Sequence, residues 1–404
     1  MSLQFIIGSS GIGKTHYACE QIIRESMENP QHLYYIIVPE QFTMQTQKNV
    51  VEMHPGKGIL NIDVLSFQRL AYRIFEETGG AREVLLDDTG KSMVLQKLVQ
   101  QHRKNLPYLG SQMNKPGYLD EVKSLISEFM QYDIREEELQ DMLGKTGEDS
   151  LLHMKMQDVG VLYQAFIQYL EGHYMTGEGV MDALKKAIPF SDKLKKSVLL
   201  LDGFTGFTPV QMNVIRELLN VCDKVLVTVT MDVGENPLQM GKPHQLFYMS
   251  RKMIHTLSGL TSNLDDPILL KDERKGRFGN STSLDFLENP LFRYKRSAYE
   301  KKQEEICIFA AESPVKELEE TARRIRRLVR EKNMKYGEIA VITGNLEAYK
   351  SIASQVFEES RIPYFLDEKH TILMNPFIEY IRAALEMVTK GFSYESVFRY
   401  LRCD

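Results

Sequence analysis

Several features that mark other protein classes are missing from this sequence. It has no tryptophan, four cysteines, and no uninterrupted apolar run that approaches the length of a membrane span. Its 50 Lys and Arg residues are fewer than its 55 Asp and Glu residues, which gives a formal net charge of −5. Because there is no global positive surplus, any contact with nucleic acid has to be local.

The cysteines also limit the chemistry and the compartment. They lie far apart and show no C-x-x-C spacing, at positions Cys19, Cys222, Cys307 and Cys403. This spacing disfavours a metal site and predicts free thiols. The first residues begin a strand pattern rather than a secretion signal, so we expect a cytoplasmic protein with no membrane partner.

The most informative stretch is the first fifteen residues. An apolar run at residues 3–7 is typical of a buried strand, and it is followed directly by Gly8-Ser9-Ser10-Gly11-Ile12-Gly13-Lys14-Thr15. This is G-x-x-x-x-G-K-[ST] between a strand and a helical pattern, the context that the motif requires. Glycines let such a loop turn tightly and direct its N–H groups at phosphate oxygens. The alternative is a chance glycine-rich turn, but the complete motif predicts binding of a nucleoside triphosphate, with ATP as the expected cofactor.

A second acidic group is expected near this loop. Asp202 ends an apolar strand pattern at residues 197–202, and we predict that it holds Mg²⁺ together with the hydroxyl of Thr15. In P-loop enzymes that hydrolyse their nucleotide, a glutamate usually follows this carboxylate, whereas Gly203 follows here. General-base help is worth about 10²–10⁴-fold in rate. The sequence therefore predicts nucleotide binding without fast hydrolysis, and no catalytic residue is assigned.

The chain order predicts an α/β fold. Strand and helix patterns alternate through residues 1–87 and 191–300, which predicts one P-loop (RecA-like) parallel sheet with helices on both faces. Residues 88–190 show helical patterns without strands and predict a helical insertion. After a linker at 294–305, a second α/β domain is expected to begin at residue 301. Strands are predicted in it at 306–310, 339–342 and 362–365, too few to close a sheet, so we expect the sequence to be part of a longer protein.

The order of motifs resembles superfamily 1 helicases of the UvrD type. Leu65-Ser66-Phe67 is similar to the H-S-F segment that contacts DNA in those helicases, and residues 202–206 (D-G-F-T-G) stand where they carry D-E-F-Q-D. Gly203 is one departure from the pattern. Met231-Asp232 stands in place of a G-D-x-x-Q motif, and Thr343-Gly344 in place of an expected arginine.

A closer resemblance is to the B subunit of the bacterial AddAB (RexAB) helicase–nucleases. It rests on the P-loop and on residues 38–43 (V-P-E-Q-F-T), 64–73 (V-L-S-F-Q-R-L-A-Y-R), 201–204 (L-D-G-F), 362–367 (I-P-Y-F-L-D) and 376–385. The resemblance implies a heterodimer with an AddA-like helicase subunit that processes double-strand DNA ends for recombinational repair. It also implies scanning of single-stranded DNA for a Chi-like signal, and a nuclease domain with an iron–sulfur cluster in a C-terminal part that this chain lacks.

Carried onto matching positions, the resemblance implies DNA contacts at Gln41, Thr43, Ser66, Phe67, Arg69 and Tyr72. Aromatic faces stack on bases, arginine pairs with phosphate or guanine, and glutamine pairs with adenine. These residues follow the carboxyl ends of strands predicted at residues 32–38 and 61–65, and α/β sheets bind ligands at that end of their strands. The alternative for Phe67 is packing on the sheet, because Leu70 and Ile74 share its helix face.

Two other functions stay open. An active, DNA-stimulated translocase requires another carboxylate in place of the missing glutamate. A P-loop small-molecule kinase with accessory helices leaves residues 306–404 without a role.

Overall fold

The computed structural model describes residues 2–403 except 81–82, 114, 116, 148–149, 272–276, 289, 294–296, 367–371 and 373–374. The chain divides into two compact units, Met1–Glu305 and Ile306–Asp404. The first part of the predicted linker, residues 294–296, and the last residue of the 362–367 motif lie outside the described residues.

The strands among the described residues all belong to the first unit. They are β1 (Ser2–Gly8), β2 (Leu33–Ile37), β3 (Ile62–Leu65), β4 (Val84–Leu86), β5 (Tyr174–Thr176), β6 (Ser197–Leu201), β7 (Lys224–Thr230) and β8 (Ile268–Leu269). Six of them form one sheet in the order β3-β2-β6-β7-β1-β8, and every pairing in it is parallel. The carboxyl ends of its strands therefore meet at one edge.

Twelve α-helices of the first unit are described. They are α1 (Lys14–Glu28), α2 (Thr43–Met53), α3 (Phe67–Thr78), α4 (Asp88–His102), α5 (Leu109–Gln112), α6 (Tyr118–Gln131), α7 (Glu136–Gly144), α8 (Leu151–Leu170), α9 (Gly177–Ala187), α10 (Pro209–Val221), α11 (Tyr248–Ser258) and α12 (Thr282–Glu288).

The core lies on both faces of the six-stranded sheet. Alternate strand residues such as Ile6 and Leu200 pack with α1 on one face, while their neighbours Ile7 and Leu201 pack with α3, α9 and α10 on the other. Because both faces are covered, the strands are continuous apolar runs rather than alternating ones. The predicted α/β fold class is confirmed.

The helical insertion has its own core, formed by α4–α8. The prediction that no strand interrupts residues 88–190 is wrong, since β5 pairs in parallel with β4 in a separate two-stranded sheet. Each of these strands has three residues, too few to display a period of two. The two-residue edge strand β8 escapes prediction for the same reason.

The second unit contains α13 (Pro314–Glu331), α14 (Leu346–Glu359), α15 (Pro376–Thr389) and α16 (Tyr394–Leu401). α13 packs on α14 through a small apolar cluster, and α15 packs on α16. The predicted strands at 306–310, 339–342 and 362–365 are wrong for the described residues, where these segments form no strand. Their β-forming side chains are largely exposed, as at Ile342 (92%), and a strand requires a hydrogen-bonded neighbour as well as β-forming residues.

No helix in the described part of the chain is both long enough and apolar enough to cross a bilayer.

Candidate nucleotide and nucleic-acid site

The glycine-rich loop joins the end of β1 to the start of α1. Gly11 and Gly13 have φ angles of 78° and 97°, in the left-handed region where a side chain is strained. At Gly11 a Cβ atom would also lie 3.0 Å from the Cβ of Arg277. These glycines therefore allow a backbone that other residues would resist, and the loop stands at the N-terminus of a 15-residue helix.

The next feature is the contact between the loop and β6. The hydroxyl of Thr15 donates to the carboxylate of Asp202, with both oxygens at 3.0 Å. Asp202 is buried directly after β6, and its backbone N–H donates to the carbonyl oxygen of Ile37 at 3.0 Å. The ammonium group of Lys14 donates to the carbonyl oxygen of Ser9 at 2.8 Å, within the same loop. The structure thus brings the predicted cation, hydroxyl and carboxylate together at the carboxyl edge of the sheet.

Burial changes the protonation of this cluster. Desolvation lowers the pKa of Lys14 from 10.5 to about 8, although the negative charge of Asp202 opposes this shift. Desolvation and then Asp202 raise the pKa of the Cys19 thiol to about 12. Lys14 therefore remains mostly a cation at neutral pH and can attract phosphate, whereas Cys19 is an inert thiol.

These residues fit a magnesium nucleotide. A hydroxyl and a carboxylate are the oxygen ligands that Mg²⁺ prefers, and P-loop proteins bind the ion through such a pair. The turning glycines and the N-terminus of α1 suit phosphate oxygens. Thr15 and Asp202 would hold the ion, and Lys14 would bind the phosphates.

The residue after Asp202 differs from a hydrolytic site in its backbone as well as its side chain. Gly203 has a φ angle of 78°, and its N–H donates to the hydroxyl of Thr228 at 3.4 Å. A glutamate at this position would be held in the left-handed region. The sequence has no glutamate at position 203 to act as a general base, and the backbone conformation at this position disfavours one.

Three of the predicted DNA-contact residues are exposed. Gln41 lies in the short turn after β2, and Tyr72 on α3 is 39% exposed. The guanidinium of Arg69 pairs with Glu40 at 3.2 Å, and both side chains are about half exposed. An exposed ion pair contributes little, so Arg69 can exchange Glu40 for a phosphate at low cost.

The other three predicted contacts are buried and have local structural roles. The hydroxyl of Thr43 donates to the carbonyl oxygen of Glu40 at 2.9 Å, and the Ser66 side chain accepts from the N–H of Arg69 as the N-cap of α3. Phe67 is 5% exposed. Its ring lies 5.6 Å from that of Phe204 and 6.2 Å from that of Phe207. The packing alternative for Phe67 is the one that the structure displays, and its face is not open to a base.

Sequence reasoning missed two residues here. Phe42 lies in the turn between β2 and α2, and its ring is 50% exposed beside Gln41. A lone aromatic between polar residues just after a predicted strand was the available signal. The sequence pattern places Thr228 only within a β-rich strand, yet its buried hydroxyl donates to Asp202 at 2.6 Å.

The parallel sheet, with a glycine-rich loop after β1 and a carboxylate after β6, defines an α/β fold of the P-loop type. The family model described as "ADDB, N-terminal" matches residues 5–288. The chain belongs to this family.

Relatives named as the B subunit of an ATP-dependent helicase/deoxyribonuclease match across the whole chain. The protein of Lachnoclostridium phytofermentans is 42% identical over 410 residues. Those of Clostridium acetobutylicum and Clostridium novyi are 34% and 32% identical over 406 and 407 residues. The chain spans 36% of the first relative's length and 35% of the other two.

Proposed function

We propose that this chain is the nucleotide-binding, DNA-binding, helicase-like part of the B subunit of a helicase–nuclease. With an AddA-like partner it would process double-strand DNA ends for recombinational repair in the cytoplasm. Family membership and the names of the relatives support this assignment. The observation that carries it is the contact of the Thr15 hydroxyl with the Asp202 carboxylate beside Lys14, because this arrangement suits ATP with Mg²⁺.

The nucleotide would be bound and split slowly or not at all. Gly8–Thr15 would surround the phosphates, and Mg²⁺, when bound, would polarise the phosphate oxygens. No carboxylate follows Asp202 to activate water, and Gly203 has a left-handed backbone. Nucleotide binding would then stabilise one conformation of the protein rather than drive rapid turnover.

Single-stranded DNA would bind at the carboxyl edge of the sheet near β2 and β3. Gln41, Arg69 and Tyr72 are exposed on the elements that follow these strands, and Phe42 adds a second open ring. The two rings can stack on bases, each contact being worth about 1–3 kcal/mol, while Arg69 binds a phosphate. Such a surface suits scanning of a passing strand for a Chi-like signal.

The domain assignment follows the same proposal. Residues 1–87 and 191–300 would form domain 1A of a helicase, residues 88–190 its 1B-like insertion, and residues 301–404 the start of domain 2A. The nuclease and iron–sulfur cluster of such a helicase–nuclease would belong to polypeptide outside this chain.

Equilibrium binding of a fluorescent ATP analogue and of a labelled oligonucleotide tests the proposal. We expect magnesium-dependent nucleotide binding that Lys14→Ala abolishes. Lys195→Ala, at an exposed lysine paired with Asp192, should leave this binding intact.

For the oligonucleotide we expect binding that weakens steeply with salt, and that weakens about tenfold in Tyr72→Ala. Absence of both activities would contradict the proposal. Fast DNA-stimulated hydrolysis would favour the active translocase, and phosphoryl transfer to a metabolite would favour the kinase.

A further inference from the structure

Thr228 is a hydroxyl within an otherwise apolar, buried stretch of β7. Its neighbours Val227 and Val229 are buried in the core, and Thr228 itself is buried. The parallel register pairs Leu201 of β6 with Val227 of β7, so the next residues, Asp202 and Thr228, lie side by side. The hydroxyl of Thr228 reaches Oδ1 of Asp202 at 2.6 Å.

The direction of this hydrogen bond is fixed by its surroundings. An ionised carboxylate can only accept, and the oxygen of Thr228 already accepts the N–H of Gly203 at 3.4 Å. The hydroxyl hydrogen of Thr228 is therefore directed at Asp202. A distance of 2.6 Å is typical of a strong hydrogen bond from a hydroxyl to a charged oxygen.

The two hydroxyls that contact Asp202 have different expected roles. Thr15 donates to both carboxylate oxygens and belongs to the loop that would bind the nucleotide, so its hydroxyl would also be needed by the metal. Thr228 belongs to the rigid centre of the sheet and contacts Oδ1 alone. Oδ2 therefore contacts the hydroxyl of Thr15 without a contact from Thr228.

We propose that Thr228 is a positioning residue that orients the Asp202 carboxylate for the magnesium ion of the bound nucleotide. This inference rests on the proposed nucleotide-binding function. Groups that hold a metal ligand in place typically change metal affinity 10–100-fold when they are removed. A hydroxyl that served only to satisfy a buried polar atom would affect stability but not the magnesium dependence of nucleotide binding.

The test compares Thr228→Val with Thr228→Ser in the intact protein. Binding of a fluorescent ATP analogue is measured as a function of Mg²⁺ concentration and in EDTA. We expect the midpoint Mg²⁺ concentration to rise about 10–100-fold in Thr228→Val, with binding in EDTA unchanged. Thr228→Ser should return the midpoint to the wild-type value. Thr78→Val makes the same exchange at a hydroxyl that donates to the carbonyl oxygen of Ile74 and should leave the midpoint unchanged.

The outcomes separate this inference from the function on which it rests. A wild-type midpoint in folded Thr228→Val overturns the role of Thr228 while leaving the nucleotide site in place. Failure of the wild-type protein to bind the analogue overturns the proposed function instead. If Thr228→Val does not fold, Thr228→Cys offers a weaker donor, and Thr228→Ser, which lacks the same γ-methyl group, is its matched reference. A raised midpoint in that variant supports the inference, and an unchanged one overturns it.

Discussion

The hydroxyl of Thr15 lies 3.0 Å from both carboxylate oxygens of Asp202, although 187 positions separate the two residues in the chain. The contact joins the glycine-rich loop after β1 to the residue after β6, which are not neighbours in the sheet because β7 lies between them. A hydroxyl and a carboxylate at this distance can share a magnesium ion, which makes the pair the geometric centre of the proposed function.

Nucleotide affinity should fall as the pH rises through about 8. Desolvation lowers the pKa of Lys14 to about 8, so its folded form loses the positive charge well below the usual lysine pKa of 10.5. A bound phosphate favours the charged form of Lys14, so in the complex Lys14 loses its proton at a somewhat higher pH than in the free protein. Equilibrium titrations between pH 6.5 and 10 in about 0.1 M salt would measure the effect. Lys14→Arg keeps its charge throughout, and a parallel decline in that variant would show that Lys14 is not the cause.

The depressed pKa of Lys14 also predicts the sign of a stability change. Between about pH 8 and 10.5 the unfolded chain holds the proton on Lys14 while the folded chain has lost it. Lys14 therefore contributes greater stability as the pH rises through this range. Thermal unfolding of wild type and Lys14→Met at pH 7 and pH 10 measures this contribution. The stability of wild type relative to Lys14→Met should be greater at pH 10 than at pH 7. A difference that does not change with pH would contradict the assigned pKa.

Gly203→Glu should not create a fast ATPase. The new side chain would occupy a backbone with φ of 78°, at a cost of roughly 1–2 kcal/mol, so the melting temperature should fall. Gly206→Glu is the matched control, because no atom lies within 4 Å of a Cβ built there. Circular dichroism and steady-state phosphate release measure both properties. If Gly203→Glu is stable and hydrolyses ATP rapidly, the backbone at this position does not prevent hydrolysis, and wild type lacks only the glutamate side chain.

Replacing Phe67 should lower the stability of the protein, whereas replacing Tyr72 should lower its affinity for single-stranded DNA. Phe67 is buried and packs against both Phe204 and Phe207, so Phe67→Ala should destabilise the protein by about 3–5 kcal/mol. Tyr72 is partly exposed, so Tyr72→Ala should cost little stability and weaken binding of single-stranded DNA. Urea unfolding and oligonucleotide anisotropy would separate the two effects. The reverse pattern would place the stacking surface at Phe67.

Arg293 should be structural and intolerant of lysine. Its guanidinium donates to both carboxylate oxygens of Asp232 at 2.6 and 2.8 Å, and to the Glu288 carboxylate at 3.0 Å. These hydrogen bonds raise the pKa of the Arg293 guanidinium above its usual value, and the bond to Asp232 has the largest effect. Arg293→Lys loses the two-pronged contact and should cost about 1.5–3 kcal/mol in urea unfolding. Arg216→Lys, at an exposed site, is the control. Equal stabilities of the two variants would rule out the structural role.

Sequence patterns predicted the parts of the fold that are decided locally or by burial. The strands β1, β2, β6 and β7 are covered on both faces, so they stand out as apolar runs. The capping box of Thr208 and Gln211 at the start of α10 is likewise local, because its two residues lie three positions apart. The predicted strand at 339–342 failed because strand formation depends on a neighbour that no local pattern specifies.

The same distinction applies to the site. Asp202 could be found because a carboxylate that ends a buried strand is visible in the sequence. Thr228 could not, because its role depends on the register between β6 and β7. For Phe67 the helix periodicity left two interpretations open, and contact with Phe204, which lies far away in the chain, determined its position.

In the proposed function the chain keeps a site for magnesium nucleotide but lacks rapid hydrolysis. The most direct measurement mixes the intact protein, in excess, with labelled ATP, Mg²⁺ and single-stranded DNA. Filter binding over minutes measures the bound nucleotide, and acid quench of the same mixture identifies it as ATP or ADP. We expect the nucleotide to be bound by the wild-type protein, not bound by Lys14→Ala, and recovered as ATP. Recovery as ADP within seconds, abolished by Lys14→Ala, would contradict it.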